Sequence, residues 1–271
     1  MKTQIEAQAK VKAFDFTEWK EFRFVFWMLM LRDIKLRYKQ TALGIACVIL
    51  QPLSTALLFT FLFGRILNTS SEGLPYILFA FCGLIPWLVF SQSLQRANGC
   101  LINDTRLITK VYFPRIFIPL SATCGVVIDY LIALTIMGIL LGIYGKFLTL
   151  HALMLPLATA LLFLFSSGVN LLFSSLNVYY RDIKHIVPFL LQFWMYASPL
   201  AYSSQLIPPR YLWLYQFNPL VGIIDLFRWT LLGTAPFPAV SSCITLILII
   251  GLFFTGLSTF RKLERNLADY I

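Results

Sequence analysis

The chain has 271 residues, of which 59% are hydrophobic and 13% charged, with a formal charge of +10 and a mean hydropathy of +0.78. A soluble domain is about half apolar and about a quarter charged, so the excess excludes an ordinary water-soluble enzyme or binding module. The 22 Lys and Arg flank the apolar runs instead of interleaving with a soluble fold, which assigns the charge to membrane orientation and not to nucleic acid.

In chain order, the first apolar stretch, residues 24–31, is short and runs into Arg32, Asp33, Lys35 and Arg37. It lacks the length and the small-residue site of a cleavable signal peptide, so the N-terminal segment is expected to stay on the protein. Residues 1–40 form a charged cytoplasmic segment. At its end Arg32, Lys35 and Lys39 share one helical face, with Arg37 nearby, while Leu31, Ile34 and Tyr38 share another. That pattern predicts an amphipathic helix on the membrane surface.

Six apolar runs follow, at about residues 43–63, 76–94, 116–143, 150–175, 187–206 and 239–260. A helical run of about 20 residues matches a hydrocarbon core of about 30 Å. The expected fold is therefore an all-α membrane protein whose six transmembrane helices form one domain over residues 41–262, with a short cytoplasmic tail at 263–271. Counted between these runs, eighteen of the 22 Lys and Arg fall on alternate segments that share a side, including both termini. By the positive-inside rule both termini are cytoplasmic.

Between the second and third runs, Asn103 or Asp104 can cap a short helix filled by Arg106, Leu107, Ile108, Lys110 and Val111 and ended by Pro114. Such a basic amphipathic turn suits docking on a soluble partner, and it equally suits a lipid surface. Residues 207–237, on the outer side, are too apolar for an exposed loop and too long to lack structure. Asn218 and Pro219 read as cap and first position of a helix that Gly233 stops. A helix of about 14 residues, about 21 Å long, cannot span. With the aromatic stretch 210–217 before it, it predicts a re-entrant helical hairpin between spans five and six, with Asp225 and Arg228 able to pair on one face. The alternative is an interfacial hairpin anchored by Tyr211, Trp213, Tyr215 and Trp229.

Residues able to do chemistry are sparse. No GxxxxGK[ST] phosphate loop occurs, since the one Gly-Lys pair, Gly145 and Lys146, is followed by Phe147. Asp129 is the one acidic residue deep in a run, read as a packing carboxylate bonded to a neighbouring helix in preference to a proton or cation site. His151 and His185 have no partner arrangement, and no GxSxG elbow occurs. Cys47, Cys82, Cys100, Cys124 and Cys243 show no CxxC spacing, and the four inside apolar runs read as small buried hydrophobes. No catalytic residue, metal site or cofactor is expected on this chain.

Aromatics make up 16% of the chain. Rings offer weak, repeated stacking to the C–H faces of sugars, so an aromatic wall would let a polysaccharide slide; Tyr76, Phe90, Tyr179, Phe193, Trp194 and Tyr196 are candidates. Interfacial belts and helix packing are the competing uses of the same rings.

The strings RDIKLRYKQTALG (32–44) with LQP (50–52), LPYILFAFCGLIPWLVFSQSL (74–94), LITKVYFPRIFIPL (107–120) and NVYYRDIKH (177–185) resemble, in the same order over nearly the whole chain, the permeases of ABC-2 type polysaccharide exporters. Within that group the likeness is strongest to the O-antigen exporter permeases. The resemblance implies a homodimer with two copies of a separate ATPase, which carries the ATP and magnesium. It implies export of a lipid-linked polysaccharide across the bacterial inner membrane. Carried onto this sequence, Arg32, Lys35, Arg37 and Lys39 mark the interfacial helix. Asp104, Arg106, Lys110 and Tyr112 mark a coupling helix, and Arg181, Asp182 and Lys184 mark a second ATPase contact. Short external gate helices are implied between the last two spans, onto which Tyr211, Trp213, Asn218, Pro219, Asp225, Arg228 and Trp229 fall. An ABC-2 exporter of a lipid or drug is the alternative on the same fold. A membrane-bound lipid-modifying enzyme is the alternative of another class, and would need a polar catalytic cluster at one membrane face.

Overall fold

The computed structural model of the chain describes residues 16–38, 42–67, 69, 71–147, 149–233, 237 and 239–264. Lys39 and the tail beyond residue 264 lie outside the described residues. Their architecture centres on helix α3 (Tyr76–Asn103), of which twenty residues are buried. Its sequence has no sustained polar face, as expected of a helix covered on all sides.

Around α3 stand α1 (Phe16–Tyr38), α2 (Ala42–Phe59, widening into a π-helical stretch Thr60–Ile66), the short α4 (Thr105–Lys110), and α5 (Phe117–Cys124) with α6 (Val127–Ile143). Next come α7 (Leu155–Tyr179, entered through a 3-10 turn Leu150–Met154), α8 (Ile183–Tyr196), α9 (Pro209–Gln216), α10 (Pro219–Leu232) and α11 (Ala239–Glu264). All regular structure among the described residues is helical. The main core joins α3, α6, α7, α8 and α10, and a second cluster at the other end of α3 ties it to α1, α5 and α11 through Leu29, Phe117 and Phe260.

Among the described residues, five stretches are long and apolar enough to cross a membrane: Val48–Ile66, Tyr76–Asn103, Phe117–Ile143, Leu150–Tyr179 and Ala239–Glu264. Residues 187–206, expected as one more span, are helical only to Tyr196 before the chain breaks into turns. The second expected span does not stop at residue 94 but runs to Asn103, so Arg96 belongs to a helix interior and not to a loop.

The N-terminal helix also departs from expectation. It begins by Phe16, and it turns Arg32 and Arg37 toward the protein while Phe24, Trp27, Met28 and Leu36 stay exposed. Among the cysteines, Cys82 and Cys100 are buried, Cys124 is half-buried and Cys243 is exposed. The burial expected of Cys243 fails because α11 presents that position outward.

Candidate functional sites

A charged cluster around Asp129 is assembled from three distant stretches of chain. Asp129, 7% exposed near the start of α6, accepts from the Arg37 guanidinium and the Tyr38 hydroxyl at the end of α1, and from Arg96 Nη2 of α3 at 3.3 Å. Arg37 also donates to Gln92 Oε1 at 3.3 Å, and Arg96 to the Gly125 carbonyl at 3.4 Å. A buried carboxylate is tolerated only when its charge and lone pairs are satisfied, and three donors do that here. The packing role expected of Asp129 is present, and its partners are arginines that sequence counting had treated as surface charge. The missing signal was the length of α3, which carries Arg96 inside.

A second ion pair holds the segment after α3. Arg32 Nη2 lies 2.6 Å from Asp104 Oδ2 and 3.0 Å from Asp33 Oδ1. Burial pushes the Asp33 carboxyl above its ordinary value, with the Arg32 hydrogen bond opposing. Asp104 was expected as a helix cap or docking residue. As a cap it fails, since no side-chain cap bond forms, and its carboxylate ties α4 to α1. Arg106 and Lys110 are exposed on α4, and Tyr112, 86% exposed, meets the edge of Phe22 at 6.3 Å. Arg181, Asp182, Lys184 and His185 are likewise exposed, around the start of α8, as is Lys35 on α1.

The six candidate channel rings separate into two groups. Phe90 is fully buried, with Phe165 and Trp194 each 4.9 Å away; Trp194 Nε1 donates to Asn218 Oδ1 at 2.8 Å. Tyr76 is buried and donates to the Ala201 carbonyl, and Tyr179 donates to the Leu263 carbonyl at 2.9 Å. Those four rings make their contacts within the chain. Phe193 and Tyr196, 70% and 68% exposed, form with Phe189 a stripe at helical spacing on the open side of α8, whose other side buries Val187 and Leu191.

At the opposite end, α10 forms as Asn218 and Gly233 predict. Asn218 Oδ1 accepts from the Leu220 amide at 3.1 Å, Pro219 opens the helix, and Gly233 closes it at φ 66°, ψ 15°. Asp225 and Arg228 do not pair: Asp225 accepts from Ser204 Oγ at 2.6 Å. Arg228, 4% exposed, lies over the Phe79 ring and donates to the carbonyls of Pro199 at 2.5 Å, Leu200 at 3.2 Å and Tyr202 at 3.3 Å. The irregular chain after α8 offers unpaired carbonyls, and a guanidinium with several donors satisfies them better than one carboxylate would. Trp229 stacks on His151 at 4.3 Å and meets Phe237. Tyr211 and Trp213 are exposed on α9, beside a cavity of about 420 Å³ that Tyr202, Tyr211 and Tyr215 help to line.

The family described as ABC-2 type transporter matches residues 25–232. Among curated proteins, the O-antigen export system permease protein RfbA of Klebsiella pneumoniae is 30% identical over 244 residues, 89% of this chain and 92% of its own. The protein of the same name from Myxococcus xanthus is 28% identical over 211 residues, covering 77% and 80%. The polysialic acid transport protein KpsM of Escherichia coli is 24% identical over 238 residues, covering 87% and 92%.

Proposed function

This chain belongs to the ABC-2 type transporter family, and from that membership we propose that it is the permease subunit of an ATP-driven exporter of a lipid-linked, O-antigen-like cell-surface polysaccharide. The observation that carries the reading is the near end-to-end similarity to an O-antigen export permease, which covers 89% of this chain. The chain is a transport subunit and not an enzyme; ATP and magnesium belong to a separate ATPase. Two copies of the chain and two of the ATPase make the working unit in the bacterial inner membrane, with both termini cytoplasmic.

The geometry supports a division of labour. Arg106, Lys110 and Tyr112, with Arg181, Asp182 and Lys184, form the exposed inner surface for the ATPase, and the Arg32–Asp104 bridge holds α4 in position. Helix α1 lies in the interface with Phe24 and Trp27 toward lipid. At about 21 Å, α8 is short of the ~30 Å hydrocarbon core, so the sixth crossing is completed by residues 197–206, whose backbone Arg228 satisfies. Residues 198–201 and Ser203 of that irregular stretch are buried in protein, the condition on which such backbone is tolerated at membrane depth. Helix α10 is buried along most of its length against α3, α7 and α11, which suits a re-entrant hairpin. The Phe189–Phe193–Tyr196 stripe of α8 faces the polymer path between two protomers, and α9 and α10 close its exit.

Deleting the gene in its host tests the reading. The expected result is loss of surface polysaccharide with lipid-linked polymer retained inside, restored by the chain together with its ATPase. Unchanged surface polysaccharide, with altered sensitivity to an apolar drug, would select the drug or lipid exporter.

A further inference from the structure

Beside the charged cluster around Asp129 lies an open polar cavity of about 460 Å³, within the roughly 300–1,000 Å³ of small-molecule sites. It is lined by Arg37, Gln51, Ser91, Gln92, Gln95 and Arg96. Two of these are arginines, none is acidic, and the other four carry amide or hydroxyl donors. Asp129 neutralises one guanidinium charge and not two, so the lining keeps a net positive charge. Apart from the bonds to Asp129, Gln92 and Gly125, the two guanidinium groups have N–H donors with no partner among the described residues. Planar forks of this kind match the paired oxygens of phosphate. A narrow apolar crevice between α2, α3 and α6, lined by Val48, Pro52, Leu88 and Ala133 among others, adjoins the cavity through the shared Gln92. Next to Gln51, α2 exposes Leu50, Leu57 and Leu58, an apolar surface that a free anion has no use for and that a chain attached to a phosphate can lie along. Along α3, Gln92 and Arg96 stand about 10–16 Å from Asn103, toward the inner end on the proposed topology.

We propose that this cavity is a binding site for the phosphate or diphosphate group of a membrane amphiphile, with Arg37 and Arg96 as its ligands and Asp129 as the resident carboxylate that holds them when the site is empty. Identifying the amphiphile as the lipid end of the cargo rests on the export reading; phosphate binding does not.

The test uses the permease with its ATPase in a non-ionic detergent and a fluorescent geranylgeranyl diphosphate, competed by geranylgeraniol, phosphatidylglycerol or inorganic pyrophosphate. Geranylgeranyl diphosphate should bind. Arg96→Gln, which removes a charge-assisted bond, should weaken it about tenfold or more, and Gln95→Leu, at an exposed position, should weaken it by less. Asp129→Asn, which removes the resident negative charge, should tighten it, an outcome that a purely structural carboxylate would not produce. Should Arg96→Gln or Asp129→Asn fail to fold, Gln95→Leu and the charge-retaining Arg96→Lys carry the comparison. Competition by phosphatidylglycerol as strong as by unlabelled diphosphate supports the site and makes a bilayer phospholipid its occupant. Competition as strong by geranylgeraniol, or by pyrophosphate alone, would overturn it, as would affinities unmoved by any of the variants. A gene deletion that leaves surface polysaccharide unchanged would remove the export reading while leaving a positive binding result in place.

Discussion

Gly168 of α7 and Gly256 of α11 meet backbone to backbone: a β-carbon on Gly256 would fall on the Gly168 carbonyl oxygen, and one on Gly168 would lie 2.7 Å from the Cα of Phe253. Lipid gives helices no hydrophobic reason to associate, so close backbone approach through small residues supplies the dispersion contact that holds them. Gly256→Val should therefore part α7 from α11 and destabilise by about 1–3 kcal/mol, read as a lower thermal aggregation midpoint in detergent. Gly251→Ala, on the same helix with open space at its β-carbon, should be neutral or raise the midpoint slightly.

Asn218 joins two elements. Its Oδ1 caps α10 and accepts from the Trp194 indole, while its Nδ2 donates to the Ala197 carbonyl at 3.1 Å and Ser198 Oγ at 3.0 Å. Asn218→Ala removes a cap worth about 1 kcal/mol and strands a half-buried indole N–H at a further ~1–3 kcal/mol. The same midpoint should fall more than for Asn218→Asp, which keeps the cap and the indole acceptor.

How far the sequence shows this arrangement depends on the range of each interaction. Helix α10 was readable to the residue because its ends are set by local rules, an Asn–Pro start and a glycine in left-handed conformation. The helical class followed from hydropathy, which needs no partner. Arg37 and Arg96 were misread as surface charge because their partner Asp129 is far away in sequence, and positive-inside counting does not distinguish a snorkelling arginine from a paired one. Arg228 was misassigned to Asp225 because spacing shows which side chains can meet and not which backbone carbonyls lack partners. Of the channel candidates, Phe90 is buried and Trp194 packs half-buried against it, and aromatic content alone does not tell a wall from a packing ring.

The topology has its own test. Cysteines introduced at Arg106 and Lys184 should react with a membrane-impermeant maleimide only in inverted vesicles, and those at Glu72 and Gly145 only in intact spheroplasts. Any reversal of those sides would end the six-span arrangement.

Coupling should depend on the exposed tip after α4 and not on α4 alone. Lys110→Glu reverses a solvent-facing charge, and Tyr112→Ala removes a ring whose contact among the described residues is the edge of Phe22. Neither breaks a core contact, so both variants should insert and dimerise normally while losing export and co-purification of the ATPase. Arg32→Ala should cause a milder loss, since it frees Asp104 and loosens α4 without touching the docking face. Full export by Lys110→Glu and Tyr112→Ala together would place the ATPase elsewhere.

The exit gate is best probed on α9. Trp229, an obvious aromatic anchor from sequence, is held within its own protomer by His151 and Phe237, so a cysteine there would disturb the hairpin before it met another copy. Trp213 is 63% exposed, with its ring at right angles to that of Phe217 6.3 Å away, and it stands on an eight-residue helix beside α10 and α11. If α9 and α10 of the two protomers close the polymer path, Trp213→Cys should cross-link between protomers in the resting exporter. The cross-link should trap polysaccharide inside, and reduction should release it. The same substitution left reduced should export normally, which separates the effect of the bond from that of the lost ring. Undiminished export by the fully cross-linked dimer would exclude a gate that opens between the two α9 helices and leave the hairpin an interfacial anchor.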